Sequence, residues 1–263
     1  MQDFIQNNFK KFNKKLPNGG GRQGPGGWKI VINVAKHAGS DLKLLDKTGK
    51  RIATLWEDGS VRRNKMNTSE ILKEMNITFD DEKDSLFDFF LKHKETKVLD
   101  IFPKTINDNE KYRTVEVFYQ KVLDHCMKKQ EFENIENRFL YFVKVLWLYN
   151  ETYVSILSPE IFNNYYYKRN KKILKKNNIV NLKSIAGTDE FLLIKDKDVL
   201  GSACIIATRD ISPVVFYFRN SKILFLLNGC TGLLYYGFPK DILFTKRMAN
   251  NCSLYLHKAE ANK

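Results

Sequence analysis

The sequence predicts an α+β fold: a small N-terminal β-hairpin region, a helical centre and a C-terminal antiparallel sheet. Three observations lead there. Short apolar runs bounded by turn residues occupy residues 28–63 and return from about residue 185. Between them, apolar residues recur at steps of three and four, the helical period. At 263 residues, with 43% hydrophobic and 28% charged side chains, the chain can bury a substantial core as one large domain or two small ones.

The elements follow in order. Residues 3–15 place Phe4, Ile5, Phe9 and Phe12 on one helical face beside lysines, which suits a short amphipathic helix or a docking arm. "LPNGGGRQGPGG", 16–27, holds six of the fourteen glycines and reads as a linker or an ordered glycine loop. Residues 1–27 are therefore expected to form a basic, glycine-rich arm, mobile in the free protein. Residues 28–263 are expected to form a single α+β domain, with a sub-boundary near 180 where helices give way to strands. "WKIVINVA" reads as a strand, and residues 41–63 as a hairpin around Lys47-Thr48-Gly49 followed by a turn at Asp58-Gly59.

Thr68 or Ser69 is positioned to cap "EILKEMN", and a second helix is expected from Asp81 through "SLFDFFLKHK". Val115, Tyr119, Val122 and Cys126 stand at helical spacing in one further helix. "ENRFLYFVKVLWLYN" is apolar nearly all round, as expected of a central core helix. Ser158 and Pro159 form a helix start for the stretch that ends in "NYYYKRNKKILKK". Five strands are expected after that: "EFLLIKD", "ACIIATRD", "PVVFYFRN", "KILFLLNG" and "GLLYYGF".

Charge is the strongest functional signal. The net charge is +14, and it is clustered. Residues 1–29 carry Lys10, Lys11, Lys14, Lys15, Arg22 and Lys29 against Asp3 alone. Residues 163–183 carry seven cations and no acid. An AT-rich genome, such as that of a virus, enriches lysine everywhere, so composition alone does not produce this clustering. On a helix, Tyr165, Lys168, Arg169, Lys172 and Lys176 would line one stripe. Like charges at that spacing repel, and phosphates would relieve the repulsion. Tyrosine rings offer faces on which unpaired bases stack.

The expected function is therefore non-catalytic binding of nucleic acid, with a preference for single strands. The expected binding residues are Tyr165, Tyr167, Lys168, Arg169, Lys171, Lys172, Lys175 and Lys176, with Lys10, Lys11, Lys14, Lys15 and Arg22 from the arm. The arm could also tie copies of the chain into a homo-oligomer through Phe4, Phe9 and Phe12. No cofactor is expected. Gly19 to Gly24 spell GxGxxG, but they precede a strand where a dinucleotide site needs a helix, and Pro25 interrupts them.

Two other readings use the same residues differently. Asp41 and Glu57 flank a hairpin in the manner of a Mg²⁺-dependent nuclease site, and the pattern resembles that of the PD-(D/E)xK nucleases. That family places a lysine two residues beyond the second acid; here the position is Gly59, so Arg62 or Lys65 would have to take the role. Alternatively, a basic matrix-type structural protein would use these charges against a membrane surface or in self-assembly. Cys126, Cys204, Cys230 and Cys252 are widely spaced without a metal-binding pattern, as expected of buried, reduced thiols in an intracellular protein. Neither a signal peptide nor a transmembrane segment is read in the sequence.

Overall fold

The computed structural model describes residues 11–17, 20–32, 42–49, 51–55, 61–62, 65–77, 86–93, 95–106, 108–159, 161, 164–174, 179 and 182–258. It is an α+β protein of two compact units, Met1–Asn64 and Lys65–Lys263. The division falls between Asn64 and Lys65.

The first unit is an antiparallel sheet whose strands pair in chain order: β1 (Lys14–Lys15), β2 (Gly21–Gln23), β3 (Lys29–Ile32), β4 (Leu42–Leu45), β5 (Arg51–Leu55) and β6 (Val61–Arg62). Its small core is Phe12, Ile30, Leu44 and Leu55, with Trp28 and Leu42 packed against them. The described part of the glycine-rich stretch, from Gly20, belongs to this sheet through β2. Two of its glycines are required by close approach. A Cβ at Gly21 would stand 2.2 Å from the Ile30 carbonyl oxygen, and one at Gly24 would stand 2.6 Å from the Phe12 ring. Phe12 is buried beneath this stretch, so it is not available to grip a neighbouring subunit. Phe4 and Phe9 lie outside the described residues.

The second unit is built on an antiparallel sheet ordered β14-β8-β13-β12-β11-β9-β10-β7. These strands are β7 (Lys65–Asn67), β8 (Lys97–Asp100), β9 (Thr152–Ile156), β10 (Glu190–Leu193), β11 (Val214–Phe218), β12 (Ile223–Asn228), β13 (Thr231–Tyr236) and β14 (Tyr255–Lys258). Among the described residues its helices are α1 (Thr68–Glu74), α2 (Leu86–Lys92), α3 (Asn109–Val115), α4 (Tyr119–Leu123), α5 (Lys129–Tyr149), α6 (Tyr165–Asn170), α7 (Lys197–Thr208) and α8 (Asp241–Asn251). None of them is long and apolar enough to cross a membrane.

Both faces of this sheet are covered. Val214, Phe216 and Phe218 of β11 and Ile223, Phe225 and Leu227 of β12 join the large core with α5 and α7. Val215, Tyr217, Leu224 and Leu226 face the other way, toward Ile71, Leu72 and Met75 of the α1 region and Phe89 and Phe90 of α2. That double cover explains why "VVFYF" and "ILFLL" are apolar at every position, a pattern more usual in parallel sheets.

Helix α5 buries Phe132, Ile135, Phe139, Phe142, Val143 and Leu146 along one stripe. It is the central core helix the sequence suggests, but its apolar outer side is exposed at Tyr141, Leu148 and Tyr149. Residues 197–208 form helix α7 where the sequence suggested the strand "ACIIATRD". Asp196 caps it by accepting from the Asp198 amide, and Leu200, Ala203, Cys204 and Ala207 are buried at helical spacing. The cap of α1 is Asn67, which forms a capping box with Glu70, rather than Thr68 or Ser69. The single helix expected around Val115 to Cys126 is two, because Glu116 and Phe118 are extended.

Asp210 joins two of these helices. Lying just past α7 in a left-handed conformation (φ 54°), it accepts the Tyr119 amide at the start of α4 through Oδ2 at 2.8 Å. Burial pushes its carboxyl up to about 6; the Tyr119 amide opposes that shift and the nearby Glu116 carboxylate adds to it. Because the folded value lies above the ordinary 3.8, the stability Asp210 contributes is present at low pH and is lost as pH rises through about 6. An asparagine in its place would keep the acceptor, tolerate positive φ and never ionise. Asp210→Asn should therefore melt progressively higher than the parent as pH is raised from about 4 to 7, checked by thermal unfolding at several pH values. A gap independent of pH would show that Asp210 does not titrate in this range.

Candidate nucleic-acid interface

The basic tyrosine segment forms a short helix, α6, followed by a turn through Leu174. Asn164 starts it, its Oδ1 accepting the Tyr166 amide at 2.7 Å while its Nδ2 donates to the Ile211 carbonyl at 3.2 Å. The helix has distinct inner and outer faces. Tyr167 is 6% exposed and lies in the large core, with Asn170 and Leu174 buried three and seven residues on. Tyr165 is 53% exposed, and Lys168, Arg169, Lys171 and Lys172 are exposed with it.

The structure therefore keeps Tyr165 and removes Tyr167 from the expected stacking surface. Spacing held the signal: a residue two positions from Tyr165 lies on the opposite side of a helix. Tyr166 is intermediate, its hydroxyl donating to Gln120 Oε1 at 2.9 Å and its ring lying against Tyr119. The Arg169 guanidinium lies 5.3 Å from the centre of the Tyr165 ring, and its Nε donates to the Tyr165 hydroxyl at 3.0 Å. Ring and cation thus form one unit, four residues apart. None of Lys168, Arg169, Lys171 and Lys172 makes an ion pair among the described residues. Lys175 and Lys176 lie outside the described residues.

Sequence reasoning missed what holds this helix in place. Asn170 Oδ1 accepts from Arg209 Nη1 at 2.8 Å and from the Tyr119 hydroxyl at 3.1 Å, while its Nδ2 donates to the Tyr166 carbonyl at 2.9 Å. Arg209 in turn forks onto Glu136 of α5: Nε donates to Oε1 at 2.8 Å and Nη2 to Oε2 at 2.6 Å. The Thr208 hydroxyl also donates to Glu136 Oε1, at 2.7 Å. Asn170, Arg209, Glu136, Thr208 and Tyr119 are all buried. A lone Glu within the apolar stripe of α5 and an Arg following an apolar helix were the available signals.

In the first unit, Lys11, Lys14, Lys15 and Arg22 are exposed, and Lys10 lies outside the described residues. Strand pairing sets Lys15 directly opposite Arg22. Two like charges facing each other across strands are unfavourable unless an anion intervenes. The paired acids of the nuclease reading, Asp41 and Glu57, lie outside the described residues. Lys65, one of two residues available to replace the missing lysine, is ion-paired with Glu190 of β10. Among the described residues no group of three His, Cys, Asp or Glu side chains is placed to hold a metal ion. Cys204, Cys230 and Cys252 are free and buried; Cys126 is free but exposed, contrary to expectation. Comparison of the chain with protein-family models, with curated proteins and with solved structures finds no match.

The inner face of α6 can be tested through stability. Tyr167→Ala should cost about 3–5 kcal/mol in urea unfolding, as for other large core truncations, whereas Tyr165→Ala should stay within about 0.5 kcal/mol of the parent. Arg209→Ala should cost about 3–5 kcal/mol by leaving Glu136 buried without its fork. It should also speed amide exchange over residues 166–174. The double change Glu136→Leu with Arg209→Met should be less destabilising than Arg209→Ala.

Proposed function

We propose that this protein binds nucleic acid, preferring single strands, through the outer face of α6 and the turn that follows it. The observation that carries the reading is that Lys168, Arg169, Lys171 and Lys172 are exposed without ion-pair partners among the described residues, on a helix whose inner face is fixed by buried hydrogen bonds and on the turn that follows it. A free lysine-rich surface on a loose segment would lose conformational entropy when it met a ligand. One already held in place loses less. Phosphates would neutralise the four cations and release condensed counterions. The Tyr165–Arg169 pair would add a stacking surface for an unpaired base, since both the ring and the guanidinium plane accept one. A duplex buries its bases and would leave that surface unused; hence the single-strand preference.

In this reading Lys14, Lys15 and Arg22 of the first unit are phosphate contacts, with no role in base recognition. The chain acts without catalysis and inside a cell, where its four free cysteines would stay reduced.

Replacing Lys168, Arg169, Lys171 and Lys172 together by Ala should leave the melting temperature nearly unchanged. Affinity for a single-stranded oligonucleotide should fall, and the slope of log K against log salt should shrink by about 0.7 for each phosphate no longer neutralised. Tyr165→Ala should weaken binding by about 1–3 kcal/mol with the salt slope almost unchanged. Fluorescence anisotropy across a salt series measures both. Unchanged affinity and slope in the quadruple variant would remove α6 from the interface.

A further inference from the structure

A second exposed surface of the larger unit differs from α6 in chemistry. It is formed by the C-terminal half of α5 and the first turns of α8. Leu148 is 72% exposed and Leu243 58%; Tyr141 and Tyr149 of α5, Phe244 of α8 and Phe238 just before it are exposed as well. The two helices meet here, the Tyr149 and Phe244 rings lying edge to face with centroids 5.7 Å apart. Tyr141 and Leu148 are two helical turns apart on one stripe of α5, and Leu243 and Phe244 lie on the outer side of α8. Solvent-exposed leucines and aromatics gathered in this way mark an interaction surface, not scattered surface residues.

The charges that the C-terminal half of α5 and α8 bring to this surface are predominantly basic. Lys144 stands between Tyr141 and Leu148 on α5. Lys240 precedes Leu243 by three residues, and Arg247 follows it by four. Lys246 is exposed one turn after Leu243. None of these four cations is ion-paired among the described residues. Across residues 138–150 and 238–251 the only acid is Asp241, and its Oδ2 is shut away from solvent.

Nucleic acid does not suit this surface, because aliphatic side chains gain little from stacked bases and each helix presents an exposed leucine. A second copy of the chain would bring the same cations face to face. An anionic lipid surface suits both features: leucines and aromatic rings enter the boundary between headgroups and acyl chains, while lysines and arginines meet the headgroup charge. We infer that the α5–α8 face is a docking site for a membrane surface rich in anionic phospholipid. The site is independent of α6. Glu136, which anchors α6, precedes Leu148 by twelve residues, about 18 Å along the axis of α5.

The test is co-sedimentation of the nuclease-treated full chain with phosphatidylcholine vesicles, with and without phosphatidylserine. Binding should require phosphatidylserine and weaken with salt. Leu148→Glu with Leu243→Glu should reduce it on the order of tenfold or more per leucine withdrawn from the acyl boundary. Lys144→Ala, Lys240→Ala and Arg247→Ala should each reduce it about fivefold. If the double glutamate variant melts early, Leu148→Ser with Leu243→Ser gives the same readout with less perturbation. The quadruple α6 variant should bind vesicles like the parent, so failure here and failure of the nucleic-acid reading are separable. The inference is overturned if anionic vesicles do not retain the protein, if the leucine variants bind undiminished, or if only the α6 variant loses binding. It is also overturned if light scattering shows a dimer that the leucine changes dissociate while vesicle binding is absent.

Discussion

Glu136 and Arg209 place two opposite charges inside the larger unit, where a charge without a partner is costly. Their forked hydrogen bonds answer most of the desolvation penalty, and the remaining valences reach outward. One guanidinium nitrogen is left to fix Asn170, and one carboxylate oxygen also takes the Thr208 hydroxyl. A buried pair of this kind adds little net stability over a well-packed apolar pair, but it tolerates only one arrangement of its neighbours. Here that arrangement sets α5, the end of α7, α4 and α6 in register. The placement of every cation on the outside of α6 depends on it.

The same device separates the roles within the tyrosine run. Tyr167 contributes packing, Tyr166 a hydrogen bond to Gln120, and Tyr165 an accessible ring. Three identical neighbours differ because a helix turns each about a hundred degrees from the last. The charge around them was legible from composition. Their division between core and surface needed the helical phase, which Asn170 and Leu174 betray as the inward partners of Tyr167.

Much of the fold was legible for similar reasons. Strands β12 and β13 stand out because each apolar run ends at Asn or Gly, β11 because its run stops at Arg219-Asn220, and the hairpin of β4 and β5 announces itself at Lys47-Thr48-Gly49. Helix α7 did not, because "ACIIAT" is β-branched in part and short enough to fit either period. What decides it is tertiary: Ala203, Cys204 and Ala207 are small enough for α7 to lie closely on α5. Strands β8, β9 and β14 were missed because each is short and finds its partner far along the chain. The glycine-rich stretch is a different case. Two of its glycines, Gly21 and Gly24, are set by close approach to Ile30 and Phe12.

The strand order of the two sheets also bears on biosynthesis. In the first unit neighbours in the sheet are neighbours in the chain, so that sheet can assemble strand by strand as it leaves the ribosome. The second unit reverses this. Its central strands, β11 to β13, follow α5, whose apolar stripe rests on them, so α5 emerges up to roughly 90 residues earlier, about 5–20 s at ordinary elongation rates. During that interval Phe139, Phe142 and Leu146 have no sheet to cover them. Until β11 to β13 are made the nascent chain depends on a chaperone or on transient local packing, and a product ending before residue 214 would leave its main helix without those strands.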